Sequence, residues 1–381
     1  MKVAVMHSYA IEFFDFNSPD PLLDVNQEPS MAIQKRKSVA ESPGRKYPSS
    51  IEVAKLAGVS QSAVSRTFTP GASVSERTRK KVIKAAEALG YSPNILPRIL
   101  LTNRSRLVAI VIGEMSNPYY ARVLEEFSTV LQEQGNQVLL CAVGHGEYVD
   151  DAIPSLAGYR VDGIITAHPI LSEEAAEQCE KIGVPIILFN GRVRSNWVSS
   201  VCCDNSAAGR ELADLFLRYG AKRFAYIAGG QETLANQDRS AGFVNRLKED
   251  GITDIKSISG NFRYEDGYHA ALALMQQRRP PQAIFCANDM MAIGAIDALR
   301  NEAGVRVPEE VMIAGFDDIP AAGWASYSLT TIRQEVDQMV QAAVDILQTK
   351  AEGQENARGL LKLVRGTLVQ RGSTTGWLKR R

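Results

Sequence analysis

Gln61, Ser62, Ser65 and Arg66 fall within six consecutive residues. A glutamine amide can pair with the edge of adenine and an arginine fork with that of guanine in the major groove, so these side chains suit base reading if one helix face presents them. The chemistry of catalysis is not signalled in the same way. The chain has no G-x-S-x-G, no H-E-x-x-H and no G-x-x-x-x-G-K-[ST], and the G-x-G at Gly144 and Gly146 lacks its third glycine. His7, His145, His168 and His269 are dispersed, and the five cysteines, Cys141, Cys179, Cys202, Cys203 and Cys286, form no C-x-x-C pair. Neither a metal site, a cofactor site nor a disulfide framework is expected.

The elements that must position the quartet begin at Ser49. Ile51, Val53-Ala54 and Leu56-Ala57 form an apolar stripe at helical spacing, with Ser49 and Ser50 available as N-caps. Gly58 permits the positive φ of a tight turn, and Val59 plugs the space between two helices. Ser60 can cap a second helix running to about Phe68, with Ala63 and Val64 inward and Gln61, Ser62, Ser65 and Arg66 outward. The N-terminus of that helix carries the positive end of its dipole toward any phosphate it meets. A third helix starts near Ser75, runs through Val82, Ala86 and Leu89, and ends at Gly90. This is the architecture of a helix-turn-helix, which serves DNA in most settings and packs as a plain structural unit in some enzymes.

Charge distribution agrees with a nucleic-acid partner. The 381 residues carry 43 basic and 43 acidic side chains, yet the span from Lys35 to Arg106 has a net charge of +11. Residues 1–34 sum to −4 and the remainder from Leu107 to −7. A basic block joined to an acidic body is the asymmetry expected when one end meets a polyanion.

Residues 1–48 read as disordered, with Asn17-Ser-Pro-Asp-Pro21 and Ser42-Pro-Gly44 and no periodicity, and Met31 offers a second possible start. Beyond residue 106, apolar runs at 107–112, 137–143, 161–166, 184–189, 223–228, 283–287 and 311–315 alternate with amphipathic segments of helical length. That alternation predicts α/β architecture, with parallel sheets covered by helices in two Rossmann-like lobes. The expected boundaries are 49–93 for the helix-turn-helix, 94–106 for a linker, 107–376 for the two-lobed body and 377–381 for a tail. No apolar run reaches 18 residues and no basic start precedes an apolar stretch, so neither a membrane span nor a secretory signal is expected and a cytoplasmic protein fits.

The spaced motifs Val53-Ala-x-x-Ala-Gly-Val-Ser-x-x-x-Val-Ser-Arg66, Val74-Ser-x-x-Thr-Arg-x-x-Val82 and Leu89-Gly-Tyr-x-Pro-Asn94 closely resemble the lactose/galactose repressor (LacI/GalR) family, over roughly residues 50–376. The resemblance implies a periplasmic-binding-protein-like core, and a sequence-specific regulator whose operator binding is controlled by a small polar metabolite, a sugar or sugar derivative. A periplasmic-type solute-binding protein with no role in gene regulation is the alternative; it would carry a signal peptide and lack the helix-turn-helix. Implied partners are a pseudo-palindromic DNA duplex, a small effector and a second copy of the chain, a dimer being expected because no leucine heptads follow Gly376.

By the same resemblance Ser60, Gln61, Ser62, Ser65 and Arg66 contact the operator, residues 94–101 from Asn94 form a hinge helix, and Leu100 wedges into the minor groove. Pro97 stands where the family usually has alanine, which weakens or shifts the expected hinge helix.

The effector is implied to contact Tyr119 and Tyr120 in Asn117-Pro-Tyr-Tyr120, Arg239, Phe262 and Asp289, with Asp204 and Gln334 as further matches. Arginine with aspartate offers donors and acceptors to vicinal hydroxyls, and a ring covers the apolar face of a sugar. Asp289 could instead cap the helix that follows it, and Arg239 could pair with Asp238 or Glu232. Arg192 and Arg194, beyond another strand end, suit either an acidic effector or a solvated loop.

Overall fold

The computed structural model describes residues 47–69, 71–93, 99, 104–113, 115–143, 149–167, 171–193, 195–351 and 359–377. The chain divides into two compact units, Met1–Pro93 and Asn94–Arg381.

In the first unit, α1 (Ser50–Ala57) opens on a reciprocal capping box between Ser49 and Glu52. Gly58 closes it at φ +64°, its N–H on the last carbonyls of the helix. α2 (Gln61–Phe68) is capped by Ser60, whose Oγ accepts from the Ala63 N–H at 3.3 Å. α3 (Glu76–Leu89) runs from Ser75 to Gly90. Val53, Ala54, Ala57, Val64, Val82, Ala85 and Ala86 form the core, edged by Val59, Phe68, Leu89 and Tyr91. The apolar stripe of α1 is narrower than its sequence suggests: Ile51 and Leu56 are more than half exposed. A three-helix unit this small has only one packing face to offer each helix, and positions 53, 54 and 57 take it.

The second unit is built on three sheets. Its first lobe comprises β1 (Leu107–Ile112), α4 (Pro118–Glu133), β2 (Gln137–Ala142), α5 (Val149–Gly158), β3 (Gly163–Thr166), α6 (Glu173–Ile182), β4 (Ile186–Phe189) and β5 (Ser199–Cys203). The second lobe comprises α7 (Asn205–Arg218), β6 (Phe224–Ala228), α8 (Leu234–Glu249), β7 (Ile255–Ser259), α9 (Tyr264–Met275), β8 (Ala283–Cys286), α10 (Asp289–Asn301) and β9 (Met312–Ala314). After β10 (Thr331–Arg333) come α11 (Val336–Ala351), β11 (Leu361–Val364), β12 (Thr367–Val369) and α12 (Gly372–Thr375).

The first sheet has the order β11-β5-β4-β3-β1-β2 and the second β7-β6-β8-β9, with every pair parallel; β10 and β12 pair antiparallel. Period-two alternation sorts the first lobe into layers. Val108, Ile110 and Ile112 of β1 join Val123, Phe127 and Leu131 of α4 and Met339, Val340 and Ala343 of α11, whereas Ala109 and Val111 join Ile153, Ala175 and Cys179 from α5 and α6. The chain passes from the first sheet to the second lobe after Cys203, returns with α11 and crosses once more between β11 and β12.

The apolar runs predict seven of the strands to within a residue or two. β5, β7, β10, β11 and β12 escape that reading because they are short, serine-bearing or half-exposed. α7 and α8 approach to backbone contact: a Cβ on Gly209 would fall 2.3 Å from the Arg239 carbonyl oxygen, and one on Gly242 would fall 2.0 Å from that of Ser206. No helix among the described residues is long and apolar enough to cross a membrane.

Candidate functional site

In the first unit, α2 turns Val64 fully inward and leaves Gln61, Ser62, Ser65 and Arg66 exposed on the opposite side, with Ser60 exposed at the cap. The Gln61 Nε2 donates to Ser50 Oγ at 2.9 Å and the Arg66 Nε to the Ser62 carbonyl at 3.3 Å, so both side chains lie along the helix surface and keep donors for a partner. The Arg79 guanidinium donates to the Thr67 carbonyl at 3.0 Å, tying α3 to the C-terminal turn of α2. Asn94, Pro97 and Leu100 lie outside the described residues.

In the second unit, the parallel strands of both lobes deliver their carboxyl ends to one polar cluster, where open α/β sheets bind ligands. Asn117 caps α4 by accepting from the Tyr119 N–H at 3.0 Å, and the Tyr119 ring is buried edge-on to the half-buried Tyr120. The Tyr119 hydroxyl donates to Gln334 Oε1 at 3.1 Å. Asn190, at the end of β4, directs its Nδ2 to both Tyr119 Oη and Gln334 Oε1, at 2.8 and 2.9 Å. The Gln334 Nε2 donates to Asp317 Oδ1 at 2.7 Å, and Asn117 Nδ2 reaches Asp317 Oδ2 at 3.4 Å. Gln334 is thus the hub between the lobes, and it is 1% exposed.

Arg239 enters from α8. Its Nε donates to Asn205 Oδ1 at 2.8 Å and its Nη1 to the Ala287 carbonyl at 2.6 Å, while its Nη2 stands 4.0 Å from Asp317. The guanidinium lies 3.5 Å above the Phe316 ring centroid. Its neighbours are therefore Asn205, Ala287, Asp317 and Phe316 rather than Asp238 or Glu232. Phe262 adopts φ +63°, its carbonyl accepts from Asn288 Nδ2 at 2.9 Å, and its ring lies where a Cβ on Gly229 would be 2.2 Å away.

Asp289 does not cap the helix that follows it. It is fully buried, with Thr331 Oγ1 2.6 Å from one carboxyl oxygen and the Ile319 N–H 2.9 Å from the other. Asn288, not Asp289, caps α10, accepting from the Met291 N–H at 3.0 Å. The carboxylate set beside Arg239 is Asp317. Asp204 likewise serves as a helix cap, accepting from the Ala207 N–H at 3.0 Å to start α7.

Burial raises the pKa of Asp289, Asp317 and Tyr119 in this cluster. Desolvation lifts the Asp289 carboxyl well above the ordinary aspartate value, helped by the charge of Asp317. Desolvation also raises Asp317, against the opposing pull of Arg239, and lifts the Tyr119 phenol, with Asp317 adding to the effect. Tyr119 is thereby held as a neutral donor and acceptor. No group of three metal-ligating side chains occurs among the described residues.

Asp317, Asn190, Asn205, Asn288 and Phe316 are members of the cluster that the sequence reading missed. Asn190 and Asp317 each follow an apolar run, 184–189 and 311–315, as Asp289 follows 283–287, so position after a strand is the signal that could have found them.

Residues 51–94 match the family described as bacterial regulatory proteins, lacI family, and residues 213–374 match the periplasmic binding protein-like domain. The chain is 32% identical over 318 residues to the HTH-type transcriptional repressor PurR of Vibrio vulnificus, covering 82% of this chain and 94% of the relative. The chain belongs to the LacI family. Another LacI-family relative, the HTH-type transcriptional regulator CelR of Thermobifida fusca, is 32% identical over 320 residues, 81% of this chain and 94% of CelR. Among solved structures, the Lac repressor dimer bound to operator and the anti-inducer ONPF superposes with a TM-score of 0.78 at 26% identity, covering 86% of this chain and 99% of that one. The CelR–cellobiose complex gives 0.64 at 29% identity, over 86% and 99%. Membership of the LacI family makes this chain a DNA-binding transcriptional regulator with a ligand-binding core, and not an enzyme.

Proposed function

We propose that the protein is a cytoplasmic repressor that binds a pseudo-palindromic operator as a homodimer, with its affinity set by a sugar or sugar derivative in the cleft between the lobes. The observation that carries this reading is the largely buried cluster of Tyr119, Asn190, Arg239, Asp317 and Gln334, drawn from strand ends and helices of both lobes. Such a set offers a fixed guanidinium, a carboxylate and neutral amides to a polyhydroxylated molecule. Tyr120 and Phe262 supply rings at its border. The matched Lac repressor structure is a dimer on operator DNA with ONPF, and that of CelR holds cellobiose, which supports the same class of ligand here.

Within this reading Asp317, rather than Asp289, accepts the ligand's hydroxyls; Asp289 holds the 317–319 turn from beneath through the Ile319 N–H. Ser60, Gln61, Ser62, Ser65 and Arg66 face the operator, and residues 94–106, with Asn94 and the Leu100 wedge, link the helix-turn-helix of 49–93 to the body of 107–376. A ligand that changes the angle between lobes alters operator affinity, and a coupling of ~1–3 kcal/mol is enough.

Thermal-shift screening of the purified protein against sugars, sugar acids and nucleobases tests the proposal, repeated with Asp317→Asn and Asp289→Ala. A ligand at about 100 times its Kd stabilises by ~2.7 kcal/mol. The proposal expects that shift from a sugar in wild type and its loss in Asp317→Asn. Stabilisation by nucleobases alone, or a sugar shift preserved in Asp317→Asn, would overturn it.

A further inference from the structure

At the rim of the same cleft, Arg192 of the first lobe and Asp238 of the second form an ion pair through Arg192 Nη2 and Asp238 Oδ2. Arg192 follows Asn190 by two residues beyond β4, and Asp238 immediately precedes Arg239 on α8. The pair therefore joins the lobes beside Asn190 and Arg239, one cluster residue from each lobe. Its side chains are 32% and 36% exposed, unlike the sealed Arg239 and Asp317, at 5% each. The loop carrying Arg192 is braced from below, with the Cys202 thiol donating to the Gly191 carbonyl at 3.4 Å.

We propose that Arg192 and Asp238 are the latch of the effector cleft, a pair of positioning residues that biases the lobes toward closure when no ligand is bound. The inner bonds through Gln334 are satisfied within the closed cluster and shielded from water. The outer pair is within reach of solvent, so water competes for both charges and the pair shifts an equilibrium by about fivefold or less. That is the strength a latch needs: enough to bias the lobes, too little to lock them against ligand entry. The pair is also sensitive to salt, as a half-exposed pair is screened by mobile ions. The consequence for operator control rests on reading the cleft as the effector site, but the latch itself can be tested without any ligand.

The experiment is hydrogen–deuterium exchange on the ligand-free full chain. It compares wild type, Arg192→Gln, Asp238→Asn, the double variant and the charge swap Arg192→Asp with Asp238→Arg. The informative amides are those of 117, 119, 120, 316–319 and 333–335, which lie outside the altered positions. The latch predicts exchange there to rise at least twofold in each single variant, to rise no further in the double variant, and to return to the wild-type rate in the swap. Raising salt from low to high should reproduce the rise in wild type and leave the double variant unchanged. Changes confined to the amides around 192 and 238 would overturn the proposal, as would a swap that behaves like the double variant. In either of those cases a ligand that still stabilises the wild type shows that the effector reading survives without the latch.

Discussion

Replacing Gln334 with leucine removes the hub between the lobes while nearly conserving its volume. Three bonds are lost, from Tyr119 Oη at 3.1 Å, from Asn190 Nδ2 at 2.9 Å and to Asp317 Oδ1 at 2.7 Å. Asn190 retains its bond to Tyr119 Oη, so the groups left without a partner are the Tyr119 hydroxyl proton and one Asp317 oxygen. Each such buried group costs ~1–3 kcal/mol, and the Asp317 oxygen still has the Arg239 guanidinium 4.0 Å away, so the lower half of the sum applies, about 2–4 kcal/mol. At ~2 °C per kcal/mol for a unit of this size, Tm should fall by about 4–8 °C. Differential scanning fluorimetry of the ligand-free protein measures it. Gln334→Glu is the companion, since it keeps an acceptor for Tyr119 but sets a carboxyl against Asp317, and its deficit should grow as pH rises. A Gln334→Leu melting temperature within 1 °C of wild type would refute the role of Gln334 as the hub.

Three further outcomes follow from the same geometry. The pKa of Asp289 is raised in the folded chain, which therefore holds its proton longer than the unfolded chain; stability is greatest below the ordinary value of 3.8 and is lost as pH rises through the folded value. Asp289→Asn keeps an acceptor for the Ile319 N–H and replaces the oxygen that accepts from Thr331 Oγ1 with an NH2 that the hydroxyl can accept from, without a titrating proton, so its urea midpoint should fall less than that of wild type between pH 4 and 8; parallel curves would contradict the burial argument. Gly209→Ala places a methyl group 2.3 Å from the Arg239 carbonyl oxygen, where overpacking costs ~1–3 kcal/mol, and calorimetry should show a lowered Tm together with weaker ligand stabilisation. Arg66→Ala should weaken operator binding by about fivefold to 150-fold, the worth of one bidentate base contact, and random-duplex binding much less; equal losses in an anisotropy titration would remove its base-reading role.

Local rules made much of this protein legible. The caps at Ser49, Ser60 and Ser75 and the left-handed stops at Gly58 and Gly90 are properties of the residues themselves, and all five stand in the structure. Strand positions were legible where an unbroken apolar run forms the strand, as in Leu107–Ile112, and illegible in the serine-bearing β5, the half-exposed β7 and the three-residue β10. The site was harder because its members come from separate strand ends, and sequence order does not rank them. Asp289 and Asp317 both follow apolar runs; what separates them is tertiary. The Asp289 carboxyl turns under the chain to meet Thr331 and Ile319, whereas Asp317 has positive φ and is directed toward Arg239 and Gln334. Gln334 could be matched in sequence, but its function as a hub depends on the crossover after β10, which no local pattern announces.

The account stands most directly on the link between the cleft and the DNA. Operator affinity should be measured by fluorescence anisotropy in wild type and in Asp317→Asn, with and without the sugar that stabilises the wild type most. Adding the sugar should change the affinity of wild type by about fivefold to 150-fold, and that of Asp317→Asn by less than twofold. An equal response in both proteins, or no response in a wild type that the sugar demonstrably stabilises, would contradict it.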